Sequence, residues 1–197
     1  MRRRTFDALA VIGGLVLAVV LAVGGGLLLW GHNFVTGQVH TQLAAQKIVF
    51  PPAGSPEIKA LPAADAKAMT AYAGQLMTTG AQAQTYANHF IAVHLVKIGG
   101  GQTYAQLSAK SLAQPKNAAL AAQVQTVFRG ETLRGLLLNA YGFWQMGQIM
   151  LIGAWVAFGA AAVLLILSLL GIWHLRRAAP ESEVFPKMAT RVEASAS

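Results

Sequence analysis

The sequence predicts an all-α protein: two transmembrane helices carrying an extracytoplasmic antiparallel helical bundle. Three observations predict it. Two long apolar runs, near each end of the chain, carry no charge. Charged residues make up only 11% of the 197-residue chain, against roughly 25% in soluble proteins. The region between the runs shows helical spacing and no period-2 alternation of useful length.

The first run, Ala8 to Trp30, is roughly 34 Å long as a helix, enough to cross a hydrocarbon core of about 30 Å. The second, Gln148 to Trp173, is of similar length. Both must be helical, because lipid leaves an unpaired backbone group without a partner. The domain reading is a cytoplasmic N-terminus (1–7), transmembrane helix 1 (8–30), an extracytoplasmic helical domain (31–147), transmembrane helix 2 (148–173) and a cytoplasmic disordered tail (174–197). Arg2, Arg3 and Arg4 precede the first run, and Arg176 and Arg177 follow the second. The opposite flanks, Gly31 to Gln46 and Gly135 to Gly147, contain no Lys or Arg. The positive-inside rule then puts both termini in the cytoplasm of a cell membrane. A cleaved signal peptide is the rival for the first run, but the run is long for a signal core and Trp30-Gly31-His32 is a poor cleavage site.

Small residues recur every four positions in the first run: Ala10, Gly14, Ala18, Ala22 and Gly26. Gly153, Ala157 and Ala161 form a shorter row in the second. Such rows let helix backbones approach closely in lipid, and their drift of about 40° per step suits a right-handed crossing. They predict a packing seam, between the two spans or between protomers.

Between the runs, the first helix continues to about Lys47 and stops at Phe50-Pro51-Pro52. Pro51 to Pro62 reads as a loop. A second helix is expected from Ala63 to Met77 and a third from Ala81 to Ile98, ending at Gly99-Gly100-Gly101. A short helix follows from Thr103 to Ala113. A long one from Asn117 feeds into the second run, with Gly135, Gly142 and Gly147 as candidate kinks. The arrangement resembles the sensor domain of four-helix-bundle chemoreceptors in architecture only.

There is no cysteine, which excludes disulfides, thiolate metal sites and cysteine nucleophiles. The formal net charge is +8; in residues 31–147 there are 8 Lys and Arg against 3 acids. Since this basic excess faces away from the cytoplasm, no nucleic-acid partner is expected. His94 falls in the middle of an apolar face formed by Tyr86, Ala87, Phe90, Ile91 and Ile98. A histidine there is more often a hydrogen-bonded core residue than a ligand. His89, five residues away, lacks the i, i+4 spacing of a two-imidazole metal site. Glu131 falls on the apolar stripe of the final helix with Arg134 one turn on. It is expected to be buried and paired with Arg134 or Arg129. His94, Tyr86, Glu131 and Arg134 are thus the candidate ligand-binding residues. No catalytic residue, metal site or cofactor is expected.

The segments FRGETLRGLLLNAYGFW (Phe128 to Trp144), NHFIAVHL (Asn88 to Leu95) and GGQTYAQLSAK (Gly100 to Lys110) resemble a family of uncharacterised actinobacterial two-span membrane proteins. The likeness runs from the first Arg cluster to Arg177. Members are often labelled aromatic ring-opening dioxygenase. The label implies a non-haem iron held by two His and one carboxylate. The nearest candidates here, His89, His94 and Glu131, have no matching spacing, so that activity is not carried over.

The expected function is a non-enzymatic scaffold or regulatory partner of the bacterial cell envelope. It would sit in the lipid bilayer and act on a membrane-protein partner or as a homo-oligomer. The alternatives are an extracytoplasmic ligand-binding or sensing module with its site near His94 and Tyr86, and a membrane enzyme.

Overall fold

The computed structural model describes residues 3–177. The tail expected from Ala178 to Ser197, and Arg2 of the basic flank, lie outside the described residues. Within them every regular element is helical: α1 (Arg3–Ala45), α2 (Pro56–Lys59), α3 (Ala63–Thr70), α4 (Gly80–Tyr86), a π-helical turn (Ala87–Ile91), α5 (Ala92–Gly99), α6 (Tyr104–Ala113) and α7 (Ala118–Arg177). Helices α1 and α7 are both long and apolar enough to cross a membrane. Only 6% and 11% of their most apolar windows is buried, whereas the core helix of a soluble fold is mostly buried.

The chain divides into two units. The first, here the apolar unit, comprises the described residues of Met1–Leu29 and Ile152–Ser197. Its outward side chains are large and apolar, including Ile12, Val16, Val20, Trp155, Val163 and Ile166. Its inward positions follow a different rule from the four-spaced rows. On α1 they are Val11, Gly14, Ala18, Leu21 and Gly25; on α7 they are Ala154, Ala157, Ala161, Leu164, Ser168 and Gly171. Steps of three and four alternate, giving the 3.5-residue repeat of left-handed packing. Ala22 and Gly26, which the four-residue row includes, are exposed and off this seam. The cause is geometric: a four-residue row drifts around a 3.6-residue helix, whereas a 3–4 alternation stays on one face. Side chains then enter glycine notches. Gly25 receives the Phe158 ring, Gly153 receives Leu28, Gly14 faces Ser168 Oγ and Gly171 faces Val11.

The second unit, Trp30–Leu151, has a continuous core. Phe50, Met69, Met77, Ala83 and Ala87 are fully buried, with Val39 and Leu43 of α1 and Leu137 of α7 closing around them. After α1 the backbone turns at Lys47, whose φ of 54° is left-handed. The segment 48–50 then exchanges backbone bonds with 74–77. Phe50 N–H donates to Gln75 O (2.9 Å), Gly74 N–H to Phe50 O (3.1 Å) and Met77 N–H to Ile48 O (2.8 Å). This exchange corrects the helix expected from Ala63 to Met77, since α3 ends at Thr70. Gly74 adopts a φ of 71°, and the freed residues bury Met77 through the long-range backbone pairing.

Helix α4 begins with a capping box between Thr79 and Gln82. Buried Gln82 Oε1 accepts from the N–H groups of Thr78 (2.8 Å) and Thr79 (3.0 Å), while its amide donates to Gln75 Oε1 (3.1 Å). The helix expected from Ala81 to Ile98 is present, but its middle turn, Ala87–Ile91, is π-helical. From Ala83 on, its buried positions are Ala83, Ala87, Ile91, Leu95 and Gly99, spaced by four. Such a row would rotate off the core by about 40° per step in a pure α-helix. The i→i+5 turn absorbs part of that rotation and keeps Leu95 inside. The helix stops where expected. Gly100 (φ 58°) and Gly101 (φ 78°) are left-handed, and Gly101 N–H donates to Val96 O (2.9 Å) in a Schellman stop. A second cluster packs Leu107 of α6 against Leu120, Val124 and Val127 of α7. Gly135, Gly142 and Gly147 lie within the one helical element α7.

A glycine pair tests this packing. A Cβ on Gly80 would collide with Trp144 Cβ and lie 3.0 Å from the Tyr141 backbone, whereas one on Gly142 meets nothing within 4 Å. Gly80→Ala is expected to cost about 1–3 kcal/mol. Gly142→Ala should gain up to about 1 kcal/mol from helix propensity. Thermal unfolding of the purified protein followed by circular dichroism reads both, and equal midpoints for the two variants would contradict the packing.

Candidate functional site

Each residue singled out in the sequence has a definite place. Tyr86 and His94 lie on one row of aromatic rings. Phe50 packs on Tyr72 (5.4 Å between centroids) and edge-on to Tyr86 (5.3 Å); Tyr86 meets Phe90 (4.9 Å), and Phe90 meets His94 (4.5 Å). His94 is half-buried at the margin of the core, not at its centre, because Ile91 and Leu95 take the inward positions and Ile98 is 40% exposed. Its Nδ1–H donates to Phe90 O at 2.7 Å. A carbonyl can only accept, so in the neutral ring Nε2 is the lone-pair nitrogen.

Glu131 is paired with Arg134 at 3.4 Å, but it is not buried: its side chain is 43% exposed. The α7 stripe turns Val127 and Leu137 inward and puts Gly130 against Leu95, which leaves Glu131 at the edge. An ion pair this exposed contributes roughly 0–1 kcal/mol. Arg134 does more than balance charge. Its Nη2 donates to Asn88 Oδ1 (3.3 Å), tying α7 to the π-helical turn. On the other side of that turn His89 Nδ1 donates to Asp65 Oδ1 at 2.7 Å, fixing the turn to α3. The π turn is thus held by an acid from α3 and a guanidinium from α7. The His89–Asp65 pair spans 24 residues and carries no local spacing signal. The third acid of this unit, Glu57, is fully exposed in the first turn of α2. Its backbone hydrogen bond, and then the Ser55 hydroxyl, hold its carboxyl below the usual range.

These pairings bear on the iron site that the family label implies. The Nδ1 bonds of His89 and His94 leave each Nε2 free for a metal, so the pairings alone do not decide the question. What does not fit a site of two His and one carboxylate is the placement of the three, which do not converge. Among the described residues no group of three or more His, Asp or Glu side chains comes together.

The concavity of this unit lies elsewhere. A groove of about 410 Å³ runs between α1 and α7. Gln38, Gln42 and Gln46 line it at four-residue spacing, facing Asn139, with Val39, Leu43, Leu136 and Ala140 along it. Phe34 and Phe143 also line it, and Trp30 stacks on Phe34 at 5.6 Å. The two helices are joined beside it by His32 Nδ1–H, which donates to Gly147 O at 2.8 Å. No lining residue is charged. The lining amides both donate and accept, so the groove suits a neutral, amphipathic guest and offers no general acid or base. The sequence does carry a signal for it: glutamines at i, i+4 and i+8 in a stretch free of Lys and Arg. Read only for topology, that stretch gave no groove, because its other wall lies about a hundred residues away.

No family model matches the chain, and neither a curated protein nor a solved structure shows significant similarity to it.

Burial raises the Tyr86 phenol above its ordinary value of 10.0. The folded state therefore keeps this proton after the unfolded chain has lost it, and stability falls as pH rises above about 10. In Tyr86→Phe that part of the alkaline loss should vanish, together with the latest-rising part of the phenolate absorbance. A phenolate titration unchanged by the substitution would contradict the burial of this hydroxyl.

Proposed function

We propose that the chain is a two-span protein of the bacterial cell membrane with both ends in the cytoplasm. Residues 31–147 then form an extracytoplasmic antiparallel bundle that docks a membrane-protein partner without catalysis. The α1/α7 groove carries this reading, because it joins an amide ladder to an apolar floor and holds no titratable group. Two further facts support it. The acids at the π turn are already engaged, Asp65 by His89 and Glu131 by Arg134. Contacts between the two long helices pair rising with falling residue numbers, as Gly14 with Ser168 and Gly25 with Phe158, which is the order an up-and-down hairpin requires. The same topology agrees with the two-span family that the sequence resembles. The guest is a helix close to the membrane whose face mixes apolar side chains with uncharged polar ones, since burying a charge against neutral amides would leave it unpaired.

Topology and docking are tested separately. The chain has no cysteine, so Gln114→Cys is a unique label site. It should react with a membrane-impermeant maleimide in intact cells; reaction only after lysis would overturn the topology. A photo-crosslinking amino acid at Gln42 should give one discrete protein adduct in native membranes, identified by mass spectrometry. The same residue at Leu112, 81% exposed on α6, should give none. Absence of a protein adduct at Gln42, or equal yields at both positions, would remove the docking reading.

A further inference from the structure

The apolar unit contains a polar feature that the seam does not explain. A groove of about 440 Å³ between α1 and α7 is lined by Asp7, Ala10, Gly14, Ser168, Gly171 and His174, with leucines of α7 completing its walls. Gly14 and Gly171 are points of close approach along it: a Cβ on Gly14 would lie 2.5 Å from Ser168 Oγ, and one on Gly171 2.6 Å from Val11. Asp7 Oδ2 is fully buried and has no hydrogen-bond partner among the described residues. Ser168 is itself buried, at 4% exposure.

A buried carboxylate oxygen without a donor is costly, and more so at the edge of a bilayer. What would satisfy this groove is set by its polar groups: a carboxylate, which only accepts, and a hydroxyl and an imidazole, each with an atom able to accept. A primary ammonium is the complement, with three donors, positive charge and no acceptor. The walls around those acceptors are aliphatic, so the ammonium should arrive attached to an apolar body.

We propose that this groove binds the headgroup of an aminophospholipid of the cytoplasmic leaflet, its ammonium on Asp7, Ser168 and His174. The leaflet assignment rests on the two-span reading above; the chemistry of the groove does not. The trimethylated ammonium of phosphatidylcholine has the same charge but no N–H, so it separates directed hydrogen bonding from charge alone.

The test is native mass spectrometry of the full chain released from nanodiscs of phosphatidylethanolamine and phosphatidylcholine in equal amounts. One phosphatidylethanolamine per chain should be retained, about tenfold over phosphatidylcholine, as charge-assisted hydrogen bonds imply. Asp7→Asn should remove about that selectivity. Ala10→Leu, which leaves the carboxylate and the seam in place and narrows the groove, should lower retention of both lipids. Circular dichroism checks that each variant is folded. Equal retention of the two lipids by the unaltered chain, or undiminished selectivity in Asp7→Asn, would overturn the proposal. A two-chain species free of lipid and lost in Asp7→Asn would also overturn it, giving the groove to a second copy. Selectivity in a nanodisc is indifferent to orientation, so a failure of the topology, read at Gln114, is distinguishable from a failure of the site.

Discussion

The helical unit depends on the burial of Phe50. Two prolines follow this residue, so the chain there cannot continue as helix and cannot satisfy its backbone locally. It does so at long range, by exchanging hydrogen bonds with Gly74, Gln75 and Met77. That exchange puts the Phe50 ring between Tyr72 and Tyr86 with no exposure. Once Phe50 is in place, α3 must end early, α4 must begin at Gly80 behind its N-cap Thr79, and the α4–α5 helix must present Ala83, Ala87, Ile91 and Leu95 as one line. Gln82 then secures the turn, its single buried amide oxygen accepting from the backbone N–H groups and the hydroxyls of Thr78 and Thr79.

The apolar unit obeys a different constraint. In the proposed bilayer neither helix would gain from hiding apolar surface, so close packing and the few polar contacts would have to hold the pair. Glycine and alanine are used accordingly: Gly25 and Gly153 are notches that receive Phe158 and Leu28, and Ala18, Ala154 and Ala161 are nearly or fully buried spacers. The helical unit uses the same device where Gly130 accommodates Leu95. Small residues therefore serve the same end in both units, admitting a partner side chain where a Cβ would otherwise stand.

The sequence was informative where a structural rule is local. Uncharged length marked both long helices, Thr103 and the glycine run marked both ends of the α5–α6 connection, and Asn117 lay beside the start of α7. It was uninformative where pairing is distant. Periodicity carried α3 on to Met77 because nothing near Tyr72 reveals that Ile48 and Phe50 will take those backbone groups. The four-spaced small residues were visible, but composition cannot show which of two nearly coincident rows, one advancing by four and one by three and four, meets the other helix. Glu131 was correctly joined to Arg134 and wrongly buried, since a one-position turn of α7 decides whether Gly130 or Glu131 faces Leu95. The groove was least legible of all: one wall comes from α1 and the other from α7, and no short segment contains both.

The π-helical turn at Ala87–Ile91 also bears on how this sequence can change. Such a turn is one residue longer than the α-helical turn it replaces. Deleting a single residue there would restore an ordinary α-helical turn, and because one turn remains one turn it would leave Leu95 near its present phase against Gly130. The same deletion in the regular turns on either side would rotate everything beyond it by about 100°. Leu95 would then swing away from Gly130, and Lys97 would lose the Ala60 carbonyl it now reaches at 2.8 Å. The helix from α4 to α5 is therefore tolerant of losing a residue at its irregular turn and intolerant of it beside that turn. Insertions and deletions should otherwise accumulate around Gln114 to Asn117, where the residues are exposed and no buried line has to be kept in phase.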